Sequence, residues 1–221
     1  MSWHSPNQPL RFLAVALPLA AVLLSCNCAT VYPPLNLWYD PAVAGANGGG
    51  RTVALVKFTD MREDADTLVF QCNSTREVTR RWAIHEQDAG AWVANALAEE
   101  LGKSGFSVDK YFDAPSREAM LVVNGMLYET YIDYDEPPTR ECGCLGGMIA
   151  DIGRRCGAWV KSHVAVEWNG IPVVNRQYIG HAEVSGGQSR GSFERALNNA
   201  LQDMMKKLVP DLVSVSQMGG R

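Results

Sequence analysis

Asn169-Gly170 stands between two runs of alternating apolar and polar residues, 158–168 and 171–184. A two-residue type I′ turn needs positive φ at both central positions, which Asn and Gly tolerate best, so the pair predicts a long antiparallel hairpin. Closing the loop on those two residues sets Trp168 opposite Ile171, Val166 opposite Val173 and Val160 opposite Ile179 on a core face. The other face then carries Lys161 with Tyr178 and His163 with Arg176, and Trp159 lies over the bare backbone of Gly180.

The rest of the chain supplies partners for that hairpin. Residues 52–58 (TVALVKF) and 67–71 (TLVFQ) read as short strands, and 106–108 as a third. Residues 120–134 alternate as a long half-buried strand, with Met120, Val122, Met126, Tyr128, Ile132 and Tyr134 expected on the core side. Val93, Leu97 and Leu101 fall at helical spacing over 88–101, with Gly102 and Gly105 as stop signals. A second helix opens at Ser192 as N-cap and carries Phe193, Ala196, Leu197, Ala200, Leu201, Met204, Met205 and Leu208. Pro210 is expected to end it, with Lys206 and Lys207 facing its dipole. The implied class is α+β: a mostly antiparallel sheet with two main helices packed on one face, a two-layer sandwich.

The amino terminus has a different character. Residues 12–24, FLAVALPLAAVLL, are continuously apolar and follow Arg11. That run is too short to span a hydrocarbon core about 30 Å thick and reads as a signal-peptide h-region. Leu23-Leu24-Ser25-Cys26 follows and resembles the lipobox of bacterial lipoproteins. The resemblance implies cleavage before Cys26, a diacylglycerol on its sulfur and an acyl chain on its new amino group. Several acyl chains hold a protein on a bilayer where one is marginal. Asn27 in place of Asp implies an outer-membrane destination with the domain in the periplasm. Residues 1–25 are thus expected as signal, 26–50 as a lipidated flexible tether rich in Pro and Gly, and 51–221 as one domain with an insert at 135–157.

Composition narrows the function classes. The chain of 221 residues is 47% apolar and has 20 basic against 24 acidic residues. Removing the signal leaves 19 basic against 24 acidic groups, an unsuitable balance for binding nucleic-acid phosphates. No Gly-x-Ser-x-Gly, His-Glu-x-x-His or phosphate-cradling loop occurs, so no catalytic residue, resident cofactor or metal ligand is assigned. Asp60 and Arg62 read as a structural cap and pair.

Six cysteines are present. With Cys26 lipidated and Cys28 beside it, Cys72, Cys142, Cys144 and Cys156 are disulfide candidates in an oxidising periplasm. Cys156 is expected to bridge Cys142 or Cys144, with the other reaching Cys72; such a closure contributes about 3 kcal/mol. A zinc or redox site on the same thiols is the competing reading, although paired C-x-x-C knuckles are missing. Leu145, Met148, Ile149 and Ile152 form an apolar flap inside the insert, suited to covering the chain's own sheet or docking on a neighbour.

Taken together, the lipobox cysteine, Tyr32-Pro33-Pro34, the strand running into Asp60-x-Arg62, Val93-x-x-Ala96-Leu97-x-x-x-Leu101 before Gly105-Phe106, Asn169-Gly170, and Ala196-Leu197-x-x-Ala200-Leu201 resemble the YajG family of bacterial lipoproteins. The insert at 135–157 departs from the family's short connection. The resemblance implies an envelope lipoprotein without enzymatic activity. The expected function is a lipid-anchored domain that binds or positions a protein partner. A homo-oligomeric subunit of an envelope transport or secretion complex is the alternative.

Overall fold

The computed structural model describes residues 33–43, 46–62, 68–72, 78–84, 88–111, 121–134, 155–185 and 189–218, and the side chains of all but 68–72 and 78–80 among them. The expected signal peptide, Cys26 and residues 135–154 lie outside the described residues. Among the described residues nine strands form one sheet: β1 Pro34–Leu35, β2 Thr52–Val56, β3 Thr59–Asp60, β4 Leu68–Cys72, β5 Val78–Ile84, β6 Ser107–Tyr111, β7 Leu121–Asp133, β8 Arg155–Trp168 and β9 Ile171–Ser185. Two described helices, α1 Ala89–Lys103 and α2 Arg190–Met218, complete the two-layer α+β arrangement.

β7 is the spine of the sheet. Along one edge it pairs antiparallel with β8, which in turn pairs with β9. Along the other edge β2, β3 and β4 follow one another in series, all parallel to it. β6 extends the sheet beyond β2, and β5 and then β1 extend it beyond β4. The sheet is therefore mixed, where a mostly antiparallel one was expected. Parallel pairing needs long crossover connections, and here α1 supplies one of them between β5 and β6.

The turn is as expected, with Asn169 at φ 49° and Gly170 at φ 78°, and Trp168 pairs with Ile171. Beyond it the register departs from expectation. A bulge between Val166 and Glu167 brings Val166 opposite Val174, so Val160 meets Gly180, Lys161 meets Ile179, His163 meets Gln177 and Trp159 meets His181. One extra residue reverses the face of everything that follows. Ile179 and Val173, expected in the core, are exposed, while Tyr178 is buried. Trp159 covers Gly157 of its own strand, where a Cβ would lie 2.7 Å from its ring.

β7 shows the same effect. A shift between Leu127 and Glu129 makes Tyr128 the extra residue. Leu121, Val123 and Leu127 face the core before it, and Ile132 and Tyr134 after it. The strict alternation read from the sequence is therefore correct for the last two residues and inverted for Met126 and Tyr128, which are exposed.

Asp88 caps α1, accepting from the Ala91 N–H at 2.6 Å and pairing with Lys57 at 2.6 Å. Val93, Leu97 and Leu101 are fully buried, as the spacing predicts. α2 starts two residues before Ser192, its first turn bonded to Ser189. It continues through Pro210 to Met218, against the expectation that proline ends it. Proline removes one helix N–H, leaving the carbonyl of Lys206 at an exposed position where water can serve it. Beyond it Leu212, Val213 and Val215 are buried. Asp211 also accepts from the Tyr178 hydroxyl at 2.6 Å and pairs with Arg176 at 2.8 Å. These contacts outweigh the lost hydrogen bond.

One compact unit runs from Pro33 to Arg221 and takes in part of the stretch expected as a tether. Pro34 and Leu35 pair with Ala83 and Ile84 as a sheet edge, and Leu35 and Leu37 are buried.

Candidate functional site

Two surfaces stand out, one on each side of the sandwich. The first is the clasp formed by residues 33–43 on the helices. Glu100 of α1 has no exposed surface; its carboxylate accepts the Tyr39 hydroxyl, the Ala42 N–H at 2.6 Å and the Val43 N–H at 3.2 Å. On α2, Glu194 accepts the Asn36 N–H at 2.7 Å, Asn198 accepts the Asp40 N–H at 3.2 Å, and Gln202 donates to the Asp40 carbonyl. These three residues recur every four positions and so form one row of the helix. Burial first, then the hydrogen bond and charge of Glu100, push the Tyr39 hydroxyl far above its ordinary pKa. Outward along the clasp, Trp38 is 46% exposed.

The second surface is the face of β7, β8 and β9 turned away from the helices. Tyr131, Trp159 and His181 lie in register across the three strands. Tyr131 stacks on Trp159 with centroids 4.9 Å apart, and Trp159 lies 4.2 Å from His181. In the next row Lys161 pairs with Glu129 at 2.7 Å beside exposed Ile179. Met61, Met126 and Tyr128 are exposed near the bulge, with the Tyr128 hydroxyl 3.6 Å from the Met126 sulfur. Methionine and tyrosine at such a surface suit adaptable apolar contact with another macromolecule. The β7 bulge creates this patch, which is why a uniform alternation hides it.

The free edge of β9 is partly closed by α2. Lys207 donates to the Ile179 carbonyl at 2.7 Å and Asp203 accepts the His181 N–H at 3.0 Å. The two side chains also pair with each other at 2.7 Å. Lys207 thus acts on the sheet edge and the mid-helix, not on a helix C-terminus as expected.

Residues with chemical potential are held in structural roles. Arg62 grips Asp60 with two bonds, at 2.8 and 2.6 Å, and is almost wholly buried. His163 bonds Asn175, not Arg176. Among the described residues no group of three His, Cys, Asp or Glu could hold a metal. A small cavity of about 70 Å³ lies under the first turns of α1, lined by Leu55, Lys57, Ala94, Asn95, Lys110 and Tyr111. Asp88 pairs with its Lys57 and Asn95 accepts from its Lys110 at 3.0 Å, so the cations there are already engaged.

Cys156 is a free, fully buried thiol on the core face of β8. Burial, and then the charge of Asp133, pushes it up to about 12. Cys72 occupies the row of Asp133 and Gly157, two strands from Cys156 and one residue out of phase with it. Cys142, Cys144, and the flap residues Leu145, Met148, Ile149 and Ile152 lie outside the described residues, as does Cys26.

No protein-family model matches the chain, and no curated protein matches it. Solved structures do share its fold. A protein of family DUF330 from Xanthomonas campestris superposes with a TM-score of 0.60 at 11% identity, over 86% of this chain and 98% of that one. A crystal structure of an uncharacterised protein gives 0.55 at 10% identity, over 83% and 99%. A lipoprotein from Neisseria meningitidis aligns over 77% of this chain and 99% of its own at 11% identity, with a TM-score of 0.34. The first two establish that this chain has the fold of the DUF330 structure, and at such identities the likeness extends to fold alone.

Proposed function

We propose that the chain is a lipid-anchored cell-envelope protein of the YajG type, held on the outer membrane by acylated Cys26, with a periplasmic domain that binds or positions a protein partner without enzymatic activity. The observation that carries the partner reading is the outer sheet face, where Met61, Met126, Tyr128 and Ile179 are exposed around an aromatic row. Single exposed apolar residues are ordinary on a surface, whereas a cluster around aromatics on one sheet face marks an interaction site. The anchor reading rests on Leu23-Leu24-Ser25-Cys26 after the apolar run. None of the described helices is long and apolar enough to cross a membrane.

Cys26→Ser tests the anchor. Labelled palmitate incorporation is expected to disappear and the domain to move from the membrane to the soluble periplasmic fraction. Unchanged membrane retention would overturn the reading. For the partner, a photo-crosslinking residue placed at Tyr128 or Ile179 should give one discrete adduct in cells, and the same residue at Lys103 none. Identical adduct patterns from all three positions would remove the sheet face from consideration.

A second reading, a subunit of an oligomeric envelope complex, draws on the edge of β9 near the turn, where Ile171 and Val173 are exposed on a strand that pairs only with β8 among the described strands. Light scattering of the full chain in mild detergent distinguishes the two: a monomer argues for the first.

A further inference from the structure

β9 is an edge strand: among the described strands it pairs with β8 alone. In an antiparallel strand the N–H and C=O of one residue point to the same edge, and successive residues alternate. The Ile179 carbonyl and the His181 N–H point away from β8, since Lys207 and Asp203 of α2 reach them at 2.7 and 3.0 Å. By that alternation Asn175, Gln177, Ile179, His181 and Glu183 all turn their main-chain groups to the open side. An edge of this kind is a template for another strand. The fold blunts it at two places. Near the turn, Pro172 has no N–H and the extra residue Val173 breaks the ladder. Farther along, Lys207 and Asp203 hold the edge groups of Ile179 and His181 and pair with each other at 2.7 Å. Between these two places only the main-chain groups of Asn175 and Gln177 are open among the described residues, too short a run for a stable ladder.

From this geometry we infer that Asp203 and Lys207 are a guard on β9, and that the edge they close is a latent interface for a second copy of this chain. The occupant follows from the strand itself. A two-fold axis through Ile179 sets Gln177 opposite His181 of the second copy and Asn175 opposite its Glu183, while Ile179 meets its own copy. Every outward N–H then faces an outward C=O. In the rows between, Tyr178 meets Gly180 and Arg176 meets Ala182, so no like charges lie opposite each other. The strand is complementary to itself, and the pair on α2 keeps it single. An exposed ion pair contributes little by its own attraction. Its effect here comes from position: each side chain fills a main-chain site that an incoming strand needs, and pairing would strip both charges of water. The inference requires neither the anchor nor a partner on the outer sheet face. It bears on the oligomeric reading, since with the guard closed only the stretch near the turn is left to a neighbour.

The test uses the full purified chain in mild detergent, as the parent and as Asp203→Ala combined with Lys207→Ala. Both side chains are well exposed, at 36% and 49%, so the fold does not depend on them. A photo-crosslinking residue at Gln177 reports self-association, because no other protein is present. A several-fold rise in dimer adduct, growing with concentration, is expected in the double variant. Equal yields in parent and variant overturn the inference. Adding Ile179→Pro removes an outward N–H and spares the bonds to β8, so the adduct should return to the parent level. A dimer that persists is not built on this edge and equally refutes the proposal. Amide exchange at His181 gives a second readout. In the dilute double variant it should be about tenfold faster than in the parent, and slow again at high concentration as the second copy takes the place of Asp203. An unchanged rate in the dilute variant would show that Asp203 does not guard that N–H.

Discussion

Glu100 occupies a helix position where the sequence shows only one acid among several, yet it is the residue on which the chain's first described segment closes. A fully buried carboxylate with three donors is stable because its partners replace water. Its removal leaves the Ala42 and Val43 amides and the Tyr39 hydroxyl without their acceptor. Glu100→Ala is expected to cost about 2–4 kcal/mol in urea unfolding, and a loss below about 0.5 kcal/mol would show those donors to be hydrated instead. Cys156 makes a prediction of pH dependence. Its folded pKa is raised from the ordinary 9.0 to about 12, so the folded state holds the proton more tightly than the unfolded chain. Its contribution is complete below pH 9 and is lost as pH rises toward 12. The thermal midpoint should fall less steeply from pH 9 to 11 in Cys156→Ala than in the parent chain. Parallel slopes would contradict the assignment. The thiol's chemistry was legible in the sequence only as a disulfide candidate, because spacing cannot say which face of the sheet a cysteine occupies.

Among the elements, both helices and the long strands follow from periodicity and turn chemistry. Val93, Leu97 and Leu101, and the run from Phe193 to Leu208, are buried where their spacing puts them. Asn169-Gly170 forms the turn that its residues favour. What periodicity misses is phase. The bulges at Tyr128 and near Val173 carry no residue signature, and each reverses the faces beyond it. Gly180 tests that register: with the bulge it lies against Ala200 and Met204, whereas without it the residue would face out. Gly180→Ala is expected to destabilise the domain by about 2–3 kcal/mol through displacement of α2, measured by chemical denaturation. Unchanged stability would place Gly180 on the solvent side. Pro210 is the converse case, a local stop signal overridden by Tyr178, Arg176 and the buried residues that follow it.

Over the whole molecule, the clasp decides where the domain begins. A chain lacking residues 33–43 should lose more stability than Glu100→Ala does, by about a further 3 kcal/mol, since Leu35 and Leu37 also leave the core. Faster amide exchange along the exposed sides of α1 and α2 should accompany the loss, and an unchanged exchange pattern would mean that the segment is dispensable. The α+β class, the two described helices and the hairpin could all be read from the order of residues, because each is set by neighbours within a few positions or one turn. The parallel pairing of β2, β3 and β4 with β7, the register beyond each bulge, the free state of Cys156 and the docking of the proline-bearing segment could not. Each of these depends on contacts between residues tens of positions apart, and only the packed arrangement of sheet and helices brings those residues together.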